Sequence, residues 1–158
     1  MGQLHIPRIL VVQSYVNHIK SLSDHLHRLT VSLEVLSAHD AETALGVLEN
    51  RAVSLLIIDA YLRGKVDGFD LCRTIRSTPA NQQLPIILLV SGHLSIERFK
   101  GISAGADLLL HRPVVKEELC KMVLLLLGWS SSHATGARAS KADSPSLPRL
   151  RSVNSLYC

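Results

Sequence analysis

The chain has 158 residues, a formal net charge of +4 and 47% hydrophobic residues, of which few are aromatic. That suffices for one domain with an aliphatic α/β core and an appendage. In residues 129–158, Arg138, Lys141, Arg149 and Arg151 stand against Asp143 alone, which leaves the first 128 residues at +1, so charge gives no convincing case for the body as a nucleic-acid binder.

In chain order, Ile9-Leu10-Val11-Val12 is a short aliphatic run, the pattern of a buried parallel strand. Val16, Ile19, Leu22, Leu26 and Leu29 recur at spacings of three and four, one face of a helix. Val31 to Leu36 alternates apolar and polar, a more exposed strand near the sheet edge. Asp40 is the expected N-cap of a helix through Ala44, Leu45 and Leu48. Leu55-Leu56-Ile57-Ile58 is a second buried strand, ending at Asp59, and Phe69, Leu71, Cys72 and Ile75 mark the next helix. Ile86 to Val90 is a third buried run, opened by Pro85 and closed by Ser91-Gly92. A helix through Ile96, Phe99 and Ile102 stops at Ala104-Gly105. Leu108-Leu109-Leu110 is the last strand, and Leu119, Met122, Val123 and Leu126 form the last helix, stopped at Gly128. This alternation predicts a doubly wound five-stranded parallel sheet with helices on both faces. The expected division is a domain over 1–128 and a basic, Ser-rich, disordered tail over 129–158.

Three dispersed cysteines, Cys72, Cys120 and Cys158, form no CxxC and read as reduced thiols. The eight histidines are scattered, and His25 and His27 point to different helix faces, so no metal site is expected. Arg8 interrupts the first apolar run, so no signal peptide is read. Met122 to Leu127 is too short to span a bilayer, and position 6 lacks the Ser or Thr of a myristoylation signal. The expected location is cytoplasmic.

In an open α/β sheet, sites form at the carboxyl ends of the strands. Here those ends are Gln13-Ser14, Asp59, Ser91-Gly92-His93 and His111-Arg112-Pro113. With Asp67-Gly68-Phe69-Asp70-Leu71-Cys72-Arg73 and Ala104-Gly105-Ala106-Asp107, in this order, the chain resembles the response-regulator receiver family over about residues 7 to 127. The resemblance implies a flavodoxin-like fold of receiver type. It also implies a phosphoacceptor aspartate at Asp59 and a site lined by Gln13, Ser14, Ser91, Arg112 and Pro113.

The family's chemistry uses two acids after the first strand to hold magnesium, a hydroxyl after the fourth, a lysine before a proline after the fifth, and an aromatic in the fifth strand. Physically, a carboxylate attacking a phosphodonor needs its charge offset by a hard cation and an ammonium. This chain departs at most of these positions. The acids are Gln13 and Ser14, the lysine is Arg112 and the aromatic is Leu109. Ser91 lies one residue further from Pro85 than usual, and Arg63-Gly64-Lys65-Val66 makes the loop after Asp59 one residue longer than usual, without proline. His93 and His111 read as polar surface residues at the site rim.

The expectation is therefore a pseudo-receiver: no enzyme, no cofactor, and a protein-interaction module in a two-component or phosphorelay pathway. Arg112 would replace magnesium as the counter-charge of Asp59 and lower its pKa. The alternative is a conventional receiver phosphorylated on Asp59 by a histidine kinase, with magnesium bound. A flavodoxin-like nucleotide-binding enzyme is a remote third, because Gln13-Ser14-Tyr15-Val16 has no glycine-rich phosphate loop. The family binds signalling partners through its last two helices and the strand between them. Here that surface would include Ile96, Arg98, Phe99, Leu109, Lys116, Glu117 and Leu124, and the wide apolar run Val123 to Leu127 suggests a homodimer contact. No DNA-binding domain is expected in residues 129–158, where Leu147, Leu150, Val153 and Tyr157 fall near one helical face.

Overall fold

The computed structural model describes residues 5–92 and 95–128. The tail over 129–158, and His93, lie outside the described residues, together with the expectations placed on them. Five strands alternate with five α-helices: β1 (Arg8–Val12), α1 (Val16–His27), β2 (Glu34–Ala38), α2 (Ala41–Asn50), β3 (Leu55–Asp59), α3 (Gly68–Ser77), β4 (Ile86–Val90), α4 (Ser95–Ala104), β5 (Leu108–His111) and α5 (Lys116–Leu126). All pairings are parallel, and the strand order is β2-β1-β3-β4-β5. This is the doubly wound, flavodoxin-like arrangement that the alternation predicts.

The period-two geometry of a strand sends alternate side chains to opposite faces. Ile9, Val11, Leu55, Ile57, Ile87 and Leu89 meet Ile19, Leu22 and Leu26 of α1 and Leu119 and Val123 of α5 on one face. Leu10, Val12, Leu56, Ile58, Ile86, Leu88 and Val90 meet α2, α3 and Ala104 of α4 on the other. Every residue of β3 and β4 is buried, which is why both read as unbroken aliphatic runs. Each such side chain contributes about 1.5–3 kcal/mol on burial.

Helix boundaries follow local chemistry. The carboxylate of Asp40 accepts from the Thr43 N–H at 2.7 Å, and that of Asp67 accepts from the Asp70 N–H at 2.8 Å, so both act as N-caps. Gly105, at φ +89°, ends α4. Cys72 is buried in the core, and burial pushes its thiol up to about 12, which keeps it protonated and unreactive. No helix of the described residues is long and apolar enough to cross a membrane.

Two readings of the sequence shift, and a third gains detail. The edge strand β2 starts at Glu34 rather than Val31, because its register is fixed by pairing Arg8 with Glu34 and Val12 with Ala38. Val16 opens α1 but faces solvent, leaving Ile19, Leu22 and Leu26 as the buried stripe. On α4 the exposure of Ile96 and Phe99 agrees with their expected place on the partner surface, and what spacing did not show is the buried side. The apolar residues Ile96, Phe99 and Ile102 are exposed, while Glu97, Gly101 and Ala104 are buried.

The N-terminus of α3 is pressed against the end of β3. The Gly68 N–H donates to the Ala60 carbonyl at 3.0 Å, and a Cβ on Gly68 would lie 2.0 Å from the backbone oxygen of Asp59. No side chain fits that gap without moving the site strand. Gly68→Ala is expected to destabilise the fold by about 3 kcal/mol in denaturant melts, whereas Gly46→Ala, in open space within α2, should be neutral or stabilising.

Candidate functional site

The parallel registers bring the carboxyl ends of β1, β3, β4 and β5 to one edge of the sheet, with Val12 beside Ile58, Asp59 beside Leu89 and Val90 beside His111. Asp59 ends the central buried strand and is 1% exposed. Both of its carboxylate oxygens are engaged. Oδ1 accepts from the Tyr61 backbone N–H at 3.0 Å, and Oδ2 accepts from Nη2 of Arg112 at 2.6 Å. Arg112 follows β5 directly, donates its own N–H to the Val90 carbonyl at 2.9 Å and precedes a cis peptide to Pro113. The two residues assigned from the sequence as a pair thus meet, at charge-assisted hydrogen-bond distance.

The direction of the carboxyl shift differs from expectation. Arg112 does favour the charged form, by charge and by hydrogen bond, and His18 adds a smaller effect of the same sign. Burial outweighs them and raises the Asp59 pKa above the ordinary carboxylate value. Taking a carboxylate out of water at the end of β3 costs more than one guanidinium returns.

Gln13 and Ser14 follow β1, where the family places its acids. Gln13 is 1% exposed, and its Oε1 is buried without a hydrogen-bond partner. The Ser14 hydroxyl accepts from the backbone N–H of Arg63 at 2.7 Å. Arg63 in turn donates from Nη2 to the Tyr15 hydroxyl at 2.6 Å and stacks its guanidinium 4.4 Å from the Tyr15 ring centre. The loop after Asp59 is therefore fastened to the loop after β1 at the place where the family holds a cation. A hard dication requires several anionic oxygens. The donors here are one carboxylate with both oxygens committed, a hydroxyl already accepting a backbone N–H, and a neutral amide. This set does not fit magnesium.

Ser91 is exposed, and no hydrogen bond joins it to Asp59 among the described residues. His111, half-buried, ends β5. A contact absent from the sequence reading lies across from them. The Tyr61 hydroxyl donates to Oε1 of Glu97, and Oε2 of Glu97 accepts from the Gly92 N–H at 2.8 Å. This acid of α4, 7% exposed, ties the loop after β3 to the loop after β4. Its only signal was a charged residue inside an apolar helical pattern, and that pattern did not show which side Glu97 takes.

The residues expected to meet partners fall into two groups. Phe99 is 68% exposed, and Ile96 and Ile102 flank it. Leu109, by contrast, is half-buried under α4, where Gly101 leaves room for it: a Cβ there would lie 2.5 Å from Leu109 Cδ2. Lys116 and Leu124 are half-buried on α5, and Leu125 is exposed.

Comparison with known proteins agrees with this architecture. The family model of the response regulator receiver domain matches residues 9–124. Response regulator MprA of Mycobacterium bovis is 34% identical over 149 residues, covering 93% of this chain and 63% of that protein. The phosphate regulon transcriptional regulatory protein PhoB of Rhizobium meliloti is 37% identical over 93 residues, covering 59% of this chain and 39% of its own length. The chain thus spans less than two thirds of the curated relatives it matches. Among solved structures, the receiver domain of an HD domain-containing protein from Pseudomonas fluorescens aligns with TM-score 0.71 and 28% identity, covering 78% of this chain and 96% of its own. The chemotaxis response regulator CheY4 of Vibrio cholerae aligns with TM-score 0.70 and 21% identity over 77% of this chain and 98% of its own, a likeness of fold alone.

Two consequences of the pair can be measured. Removing Arg112 leaves a buried carboxylate with only the Tyr61 N–H, so Arg112→Ala is expected to destabilise by about 1–3 kcal/mol, and adding Asp59→Asn should recover part of that loss. Because the folded pKa of Asp59 lies above its unfolded value of about 3.9, the folded state prefers the protonated acid. The contribution of Asp59 to stability is fully present below that unfolded value and is lost as pH rises through the folded one. Asp59→Asn alone should accordingly match or exceed the parent in stability at pH 7, and its advantage should close as pH falls towards about 4.

Proposed function

The chain belongs to the response regulator receiver domain family, and from that membership we propose that it is an atypical receiver whose Asp59 is held by Arg112 rather than served by a cation. It works as a protein-interaction module of two-component signalling, and its conformation does not wait on magnesium-dependent phosphorylation. The observation that carries this reading is the 2.6 Å contact between Arg112 and Asp59, made where the positions of both family acids hold Gln13 and Ser14. The arginine cannot give up its proton, and its planar fork covers the oxygen that a phosphodonor would have to meet.

Three further features support the reading. Ser14 is committed to the loop after Asp59 rather than to a metal position. The Glu97 clamp links that loop to the start of α4 through Tyr61 and Gly92, and it holds α4 in one pose. That pose presents Ile96, Phe99 and Ile102 to solvent, on the face through which a receiver meets protein partners. Signalling proteins, a histidine kinase among them, and a second copy of this chain are the partners this face suits, with Lys116 and Leu124 at its α5 border.

The experiment is a magnesium titration followed by the amide resonances of residues around Asp59. No saturable binding is expected below about 10 mM, because neutral ligands and one committed carboxylate make a weak site for a hard cation. Saturation at submillimolar magnesium would return the chain to the conventional reading, with Asp59 as an ordinary phosphoacceptor.

A further inference from the structure

Arg112 also lines a cleft of about 250 Å³ that opens between α1 and the turn that follows β5. Its α1 wall is made by His18, Ser21, Leu22 and His25, which recur at i, i+3, i+4 and i+7 and so share one helical face. His18 and Ser21 are exposed, His25 is half-buried and Leu22 is buried, so this face runs from solvent to the core at the rim of the buried stripe and carries three hydrogen-bonding side chains.

The opposite wall is Arg112 with Pro113, and Gln13 lies between. Gln13 Oε1 and His25 Nδ1 are both buried without a hydrogen-bond partner. An imidazole Nδ1–H can donate to a bound anion, as can the amide N–H2 of Gln13, whereas Gln13 Oε1 is an acceptor that an anion would leave to water. No aspartate or glutamate lines the cleft. Asp59 Oδ2 takes a single N–H of the Arg112 guanidinium, which has five to give. The cleft therefore gathers a guanidinium, two imidazoles, a hydroxyl and an amide with no anion among them, over an apolar floor.

We propose that this cleft is a binding site for a small oxyanion, a phosphate or a carboxylate, seated between Arg112 and the His18–His25 face of α1. Arg112 is bidentate in kind, and its planar fork suits either oxyanion. His18 and Ser21 donate from the helix, and the amide N–H2 of Gln13 donates at the inner end. The proposal goes beyond the receiver reading and does not depend on it, since Asp59 is not among the residues that line the cleft.

The test uses the full chain and two probes, inorganic phosphate and acetate, with ionic strength held by chloride. Imidazole Cε1–H resonances report directly on the two histidines of the cleft, and the other histidines of the chain serve as internal controls. At least one probe should move His18 and His25 along a shared curve that saturates below about 10 mM. Which probe saturates tells phosphate from carboxylate. His18→Gln and, separately, Ser21→Ala should each weaken that binding about three- to tenfold while the thermal midpoint holds. The proposal is overturned if neither probe saturates up to about 50 mM. It is equally overturned if all histidines move together, as they would in a general ionic effect, or if both folded variants titrate like the parent. A variant that fails to fold leaves the titration of the parent chain to decide.

Discussion

A strand buried on both faces that ends in a carboxylate must set some charge against it. Here β3 runs through the middle of the sheet and delivers Asp59, 1% exposed, to its carboxyl edge. The sheet supplies one N–H from Tyr61 and the turn after β5 supplies Arg112. Neither restores the carboxyl to its ordinary range, because burial remains the larger effect. Much of what distinguishes this chain follows from that residual cost. Arg112 is drawn inward to Asp59, the loop after β3 is closed onto Ser14, and Gln13 fills, without a partner for its Oε1, a place where a charged acid would have attracted a cation. The same inward pull leaves the outer side of the guanidinium facing α1.

The fold was legible because its signals are redundant. Unbroken aliphatic runs at β1, β3 and β4, capping aspartates at Asp40 and Asp67, and glycine stops at Gly105 and Gly128 each restate the same alternation. The pair of Asp59 and Arg112 was legible too, since parallel topology alone places the ends of β3 and β5 on one edge. The direction of the Asp59 shift was not. Spacing reveals which charge is near a carboxylate but not how much water the fold removes from it, and desolvation decided the sign.

The site's other connections were hidden for a different reason. The period-3.6 spacing of α4 marks Ile96, Phe99 and Ile102 as one stripe, and the resemblance places Ile96 and Phe99 on the partner surface, but spacing does not tell what α4 buries in their stead. In the structure the stripe faces out, because Gly101 must admit Leu109 and Glu97 must reach Tyr61 and Gly92. Both requirements are tertiary, and neither leaves a trace in local spacing. The Arg63–Tyr15 stack is likewise a contact between two loops distant in sequence. These misses cluster at the functional edge, where local preference yields to the needs of the site.

The account holds that an arginine has taken the place of the cation, and that this substitution is what silences Asp59. The most direct measurement is phosphoryl incorporation from a small acyl phosphate, with and without magnesium. It compares the parent chain with the triple variant Gln13→Asp, Ser14→Asp, Arg112→Lys, which returns the two acids and the compact ammonium. The account predicts that the parent stays unlabelled under both conditions and that the triple variant gains magnesium-dependent label, lost again on Asp59→Asn. Magnesium-dependent labelling of Asp59 in the parent chain would contradict it.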